Sequence, residues 1–192
     1  MSGLRFRIEW AELSAVEARA DELAPHARAL ATAYNDPTNA SLLGHTAEID
    51  EAEVIEHYAD MLADGARPFL LFAGDDLAGD GDLRNLHDGA AEFAFLIGAP
   101  SAQGKGLGTR FAVMIHAFGF RILELARIYA SIVPANVASR RVFDKLGYTL
   151  DDSPTAREFA DEAGDVVMSI DRDTFERVHA ASLPAIRIAE VG

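Results

Sequence analysis

The chain has 192 residues, 49% hydrophobic and 25% charged, which suits one packed globular domain over 1–192 and excludes disorder of the whole. Seventeen basic against thirty-one acidic side chains leave a net charge of −14, which argues against a nucleic-acid partner, because tracking a phosphate backbone needs a basic face. There is no cysteine, so disulfide frameworks, thiolate metal sites and a cysteine nucleophile are excluded together.

The first residues show no apolar core after a basic start, and no apolar run approaches the roughly 20 residues of a membrane span. A soluble, cytoplasmic protein without a membrane partner is expected. Leu4, Phe6 and Ile8 alternate with Arg5, Arg7 and Glu9, the period of a half-buried strand. Residues 13–34, rich in Ala, Leu and Glu, predict a helix in which Pro25 marks a break or kink. Residues 35–46 hold Asn, Asp, Pro, Ser and Gly and read as a loop. Asp50 opens a second helix to about Ala63, with Glu53 placed to complete a capping box.

Residues 68–73 (PFLLFA) form a short apolar strand. The stretch 74–89 carries five Asp and four Gly; it reads as a hairpin turn, a surface excursion or a poorly paired strand around Leu83 to Leu86. Residues 92–97 are nearly all apolar, as a strand buried on both faces would be. From Gly106 onward, Leu107, Phe111, Ile115, Phe118, Ile122 and Leu125 recur at three- and four-residue steps and make one apolar helical stripe. A strand at 128–133, a helix at 136–146 stopped by Gly147, a strand at 166–170 and a short helix at 174–181 complete a mixed α/β order without repeats or linkers.

The strongest local feature is Gln103-Gly104-Lys105-Gly106-Leu107-Gly108, between a buried strand and a long helix. Glycines there let the backbone approach a ligand closely, and the first N–H groups of the helix favour an anion. The spacing fits neither a Rossmann turn, which would need glycine at Thr109 or Phe111, nor a Walker loop, which would need Ser or Thr at Gly106. A tight turn with no ligand is the plain alternative.

This segment resembles motif A of the GNAT N-acetyltransferase superfamily, Arg/Gln-x-x-Gly-x-Gly/Ala, with Gln103, Gly106 and Gly108 in place and Pro100 ahead. A second block, from Val133-Pro134-Ala135-Asn136 through Ser139-Arg140 to Phe143-Asp144-Lys145-Leu146-Gly147-Tyr148, is similar to motif B, closest to the ribosomal-protein and polyamine acetyltransferase branch. The resemblance implies a mostly antiparallel mixed sheet, splayed between two central strands, with helices on both faces and acetyl-CoA in the opening. It places pyrophosphate on the backbone of Gln103, Gly104, Lys105, Gly106, Leu107, Gly108 and Thr109, and pantetheine along Leu96, Ile97 and Gly98. Asn136, Arg140 and Phe143 join the cofactor side. For Asn136 a helix N-cap, and for Lys105 and Arg140 a solvated charge, are the roles that need no cofactor.

Direct transfer from acetyl-CoA to an amine requires a base and an oxyanion donor, while the thiolate either takes a proton from an acid or leaves unprotonated. Glu92 stands where many members carry a catalytic glutamate, and desolvation there would make it a better base; a strand-end glutamate or an ion pair is the alternative. The oxyanion donor would be a backbone N–H of Leu96 or Ile97. Phe143 occupies the usual tyrosine position, which leaves Ser139 and Tyr148 as candidate acids beside their ordinary helix and packing roles. The six histidines show no ligand spacing, so no metal is expected. The implied function is N-acetylation of a primary amine, either a small molecule or a protein N-terminus, in a protein that the resemblance allows to be a homodimer. A non-catalytic acyl-CoA-binding module is the alternative.

Overall fold

The computed structural model describes residues 4–43, 47–98 and 104–191. Alternation at the N-terminus becomes pairing: β1 (Arg5–Trp10) turns back antiparallel onto β2 (Leu13–Glu17). This corrects the helix expected from residue 13. Leu13 and Ala15 go to one face, Ser14 and Val16 to the other, and β2 is hydrogen-bonded on both sides, so sheet pairing overrides helical composition. The helix α1 (Ala24–Asn35) begins later, and Pro25 lies in its first turn, where its missing N–H costs nothing, so no kink follows.

Residues expected as loop form α2 (Pro37–Leu43), because Asp36 Oδ1 accepts the N–H groups of Thr38 and Asn39 at 2.9 and 3.1 Å. The helix α3 (Glu51–Ala63) carries the expected capping box: Asp50 Oδ1 accepts from Ala52 and Glu53, and Glu53 Oε2 accepts from Asp50. Then come β3 (Arg67–Ala73), β4 (Asp76–His87) and β5 (Ala90–Ile97). The helix α4 (Leu107–Arg121), β6 (Arg127–Ile132) and α5 (Val137–Leu146) follow as expected, and Gly147 ends α5 at φ 97°. The remaining elements are β7 (Thr149–Leu150), α6 (Pro154–Arg157), β8 (Val166–Asp171), α7 (Arg172–His179) and β9 (Arg187–Val191). The strand β4 corrects the turn or excursion read at 74–89, and β7, α6 and β9 carry no periodic signal long enough to see.

The strands make one sheet in the order β7-β8-β6-β5-β4-β3-β2-β1-β9, antiparallel except for β5 beside β6. One face buries α4 against Phe69, Leu71, Leu83 and Phe93; the other is covered by α1 and α3 around Leu70. The β5–β6 pairing holds only three positions, Ala90 to Arg127, Ala91 to Ile128 and Glu92 to Tyr129. Beyond Glu92 the two strands part, although both continue. The sheet is open there.

Candidate active site

The direction of each backbone amide along the open edge follows from register. Gly98 N–H donates to Ala78 C=O at 3.0 Å, and β4 pairs antiparallel with β5 in unbroken register from Gly79–Ile97 to Arg84–Glu92. Hydrogen-bonded positions alternate in such a ladder, so the amides of Gly98, Leu96 and Ala94 point at β4, and those of Phe95 and Ile97 point across the opening. This corrects two expectations. Gly98 N–H is engaged with β4 and does not pair with a ligand on the other side. Of the two proposed oxyanion donors, Ile97 faces the opening and Leu96 does not.

At the wide end of the opening, Gly104 and Gly106 adopt φ of 73° and 75°, a region glycine enters without strain. Gly106 is the N-cap of α4, and the first bond inside the helix is Arg110 N–H to Gly106 C=O at 3.2 Å. The N–H groups of Leu107, Gly108 and Thr109 therefore precede the helical ladder and form a positive mouth. Gly108 lies over β5: a Cβ there would sit 3.1 Å from Phe95 Cε2 and 3.5 Å from Ile97 Cγ1. Lys105 is exposed in the turn, and Gln103 lies outside the described residues.

Asn136 takes the role it has without a ligand. Its Oδ1 accepts Ser139 N–H at 3.0 Å as the cap of α5, and its Nδ2 donates to Leu42 C=O at 3.3 Å, tying α2 to the end of β6. Ser139 and Arg140 are half-buried in the first turn of α5. Phe143 is buried, its ring centroid 6.1 Å from Phe93 and 6.0 Å from Phe95, so α5 is anchored to β5 although the strands between them have parted. Tyr148 is only 4% exposed on the α4 side, 2.6 Å from His116 Nε2. His116 Nδ1 lies 2.6 Å from Ala112 C=O and must donate to it, so Nε2 accepts the tyrosine proton. Burial pushes the His116 pKa down to about 3, and Tyr148 well above its ordinary value. The structure therefore places Tyr148 in a core hydrogen bond, away from the carboxylates described next.

Those carboxylates occupy the face under α1 and α3. Cross-strand partners share a face, so Asp80 beside Leu96, Asp82 beside Ala94 and Arg84 beside Glu92 line it together. Tyr34 of α1 and Tyr58 of α3 both donate to Asp80 Oδ2, the latter at 2.6 Å, and among the described residues no donor reaches Asp80 Oδ1. Burial raises the Asp80 pKa to about 6 against those two hydrogen bonds. Arg84 grips Asp82 with two bonds of 2.7 Å.

Glu92 is 1% exposed at the vertex of the opening. A bulge in β4 after Arg84, with Asn85 at φ 52°, turns the Asn85 amide onto Glu92 Oε2 at 2.8 Å. Burial, then the nearby Asp161 carboxylate, pushes the Glu92 pKa up to about 7. Asp161 arrives from the segment between α6 and β8. Phe159 holds that segment down, stacked 4.3 Å from Tyr129 and 4.8 Å from His87. Sequence reasoning identified Glu92 but missed Asp161, Tyr34, Tyr58 and Asn85. Among the described residues no group of His, Asp and Glu could hold a metal.

A strand, glycine turn and helix mouth beside a parted sheet, with a buried carboxylate at its vertex, restate in three dimensions the motifs read from the sequence. The family model described as the acetyltransferase (GNAT) domain matches residues 18–149. The chain belongs to this family. It is similar to spermidine N(1)-acetyltransferase of Escherichia coli (strain K12), 36% identical over 61 residues. That stretch covers 32% of this chain and 32% of the relative, so the chain spans about a third of the length of that curated protein. Among solved GNAT structures, Mycobacterium smegmatis RimJ in complex with CoA-disulfide superposes with a TM-score of 0.72 at 16% identity, over 93% of this chain and 94% of that one. Spermidine N-acetyltransferase from Vibrio cholerae, in complex with CoA and spermine, gives 0.68 at 20% identity over 86% and 98%. These likenesses establish the GNAT fold.

Proposed function

We propose that this protein transfers an acetyl group from acetyl-CoA to a primary amine by direct attack within a ternary complex. The observation that carries the reading is the parting of β5 from β6 at Glu92, with the α4 mouth at one end and the carboxylate face at the other. The residues fit an acyl-CoA. Leu107, Gly108 and Thr109 offer N–H groups to the diphosphate, and the outward edge of β5 at Phe95 and Ile97 faces the pantetheine arm. Glu92 receives a proton from the ammonium, and its raised pKa suits a base working near neutrality. The oxyanion forms beside the β5 edge, and Ser139 is the candidate hydroxyl for protonating the thiolate.

Asp80, Asp82, Glu92 and Asp161 against Arg84 give the acceptor side a negative balance. That favours a small cationic amine over a protein N-terminus, in line with the spermine-bound relative. No helix among the described residues is long and apolar enough to cross a membrane.

Release of CoA thiol from acetyl-CoA, measured with spermidine, an aminoglycoside, amino acids and a peptide, tests the reading. Turnover is expected with the first two. Glu92→Gln should lower kcat by about 10²- to 10⁴-fold and leave acetyl-CoA affinity unchanged. Binding of acetyl-CoA without release to any amine would instead mark a non-catalytic acyl-CoA-binding module.

A further inference from the structure

Acetylating an ammonium forms an N–C bond, breaks the C–S bond and removes two protons from nitrogen. One proton ends on the CoA sulfur; the other must reach solvent in every turnover. Glu92, the residue assigned to take the proton, is 1% exposed. The groups around it are Asp82, Arg84 and Asn85 from β4, Tyr129 in register on β6, and Asp161 with Asp165 from the segment before β8.

Asp161 differs from the rest of this shell. Its carboxylate acts on Glu92 and helps hold a proton there, yet the residue is exposed. Its placement is built from the backbone. Asp161 N–H donates to Ser131 Oγ at 2.9 Å, and Ser131 Oγ donates to Asp165 Oδ2 at 2.8 Å. Ser131 stands two residues beyond Tyr129, the register partner of Glu92, and so lies on the same face. The exposed Asp161 is thus anchored over the face that carries the buried Glu92.

From this juxtaposition we propose that Asp161 is the proton exit of the site, accepting from Glu92 the proton taken from the amine and releasing it to solvent. The proposal rests on the amine-acetylating reading given above. Two neighbouring carboxyls hold one proton more readily than none, because their charges repel, and burial adds to this at Glu92. Arg84 limits the repulsion, so the pair can hold a single negative charge between turnovers. Asn85 keeps one Glu92 oxygen occupied.

The test uses the full chain with saturating acetyl-CoA and spermidine. Asp161→Asn should lower kcat about tenfold, an effect of proton transfer, with KM for spermidine within about twofold. Added imidazole or phosphate buffer should restore its rate while leaving the unaltered protein indifferent, and Asp161→Glu should regain turnover. Buffer should not rescue Glu92→Gln. Independently of turnover, the Glu92 carboxyl carbon, followed by NMR, should titrate at lower pH in Asp161→Asn because its like-charged partner is gone. An unchanged Glu92 midpoint overturns the proposal. So does a slow Asp161→Asn enzyme that buffer cannot rescue, since that marks a structural role. Full turnover in Glu92→Gln would overturn the assigned base instead, and the two failures are thereby distinguished.

Discussion

At the scale of single residues, the two hydroxyls of motif B have different environments. The Tyr148 proton is committed to His116 Nε2 inside the core, and releasing it toward a thiolate would leave a buried imidazole nitrogen without a donor. Tyr148→Phe should therefore destabilise the fold by about 1–3 kcal/mol, the cost of one unsatisfied buried acceptor, and leave kcat unchanged. Urea denaturation and a thiol-release assay on the same preparation would show this. A fall in kcat with unaltered stability would return Tyr148 to the chemistry. The hydroxyl itself was plain in the sequence. Its partner was not, because His116 lies off the apolar stripe of α4 and 32 positions away.

At the scale of elements, glycines stand where β4 meets β5 and where the end of β5 meets α1. A Cβ on Gly79 would overlap the Leu96 carbonyl oxygen, and one on Gly98 would overlap the Ala33 Cβ of α1. The two positions can be separated by repair. Gly98→Ala should push α1 from β5 and destabilise by about 1–3 kcal/mol as an overpacked contact. Ala33→Gly alone should cost about 1 kcal/mol of helix propensity. The double variant should recover most of the Gly98→Ala loss, giving a favourable coupling in a double-mutant cycle. Simple additivity of the two losses would show that α1 does not press on Gly98.

The same glycines explain what the sequence hid. In Gly79-Asp80-Gly81-Asp82 the period of two is present, but its inward members are glycines. A Cβ on Gly81 would sit 3.0 Å from Phe95 Cβ and 3.4 Å from Ile115 Cδ1, so there is no room for the apolar side chain by which a strand is recognised. The other members are buried acids, Asp80 met by Tyr34 and Tyr58 from distant helices and Asp82 by Arg84, which no local pattern reports. By contrast the turn into α4, the strand β5 and the N-cap of α5 carry their signals within a few residues, and each lies where the sequence predicts. The proposed cofactor half of the site is local in sequence; the proposed acceptor half is assembled from α1, α3, β4 and the segment after α6.

For the molecule as a whole, the buried carboxylate at the vertex sets its proposed role as a base against stability. Glu92 ionises near pH 4.5 when exposed in the unfolded chain but near 7 in the fold. Between these values the folded protein binds more protons than the unfolded one, so stability from this group is lost as pH rises from about 4.5 to 7. His116 acts in the opposite sense: uncharged in the fold down to about pH 3 and protonated below about 6.5 when unfolded, it removes stability as pH falls. Glu92→Gln keeps the shape and the Asn85 hydrogen bond and has no charge to bury. It should be more stable than the unaltered protein at pH 8, by about 1–3 kcal/mol, and nearly equal to it at pH 5, where Glu92 is protonated. Denaturation midpoints of the two proteins at both pH values measure the difference directly. Equal stability at pH 8 would mean that ionised Glu92 is solvated at little cost, and the physical basis for proposing Glu92 as a base near neutrality would be gone.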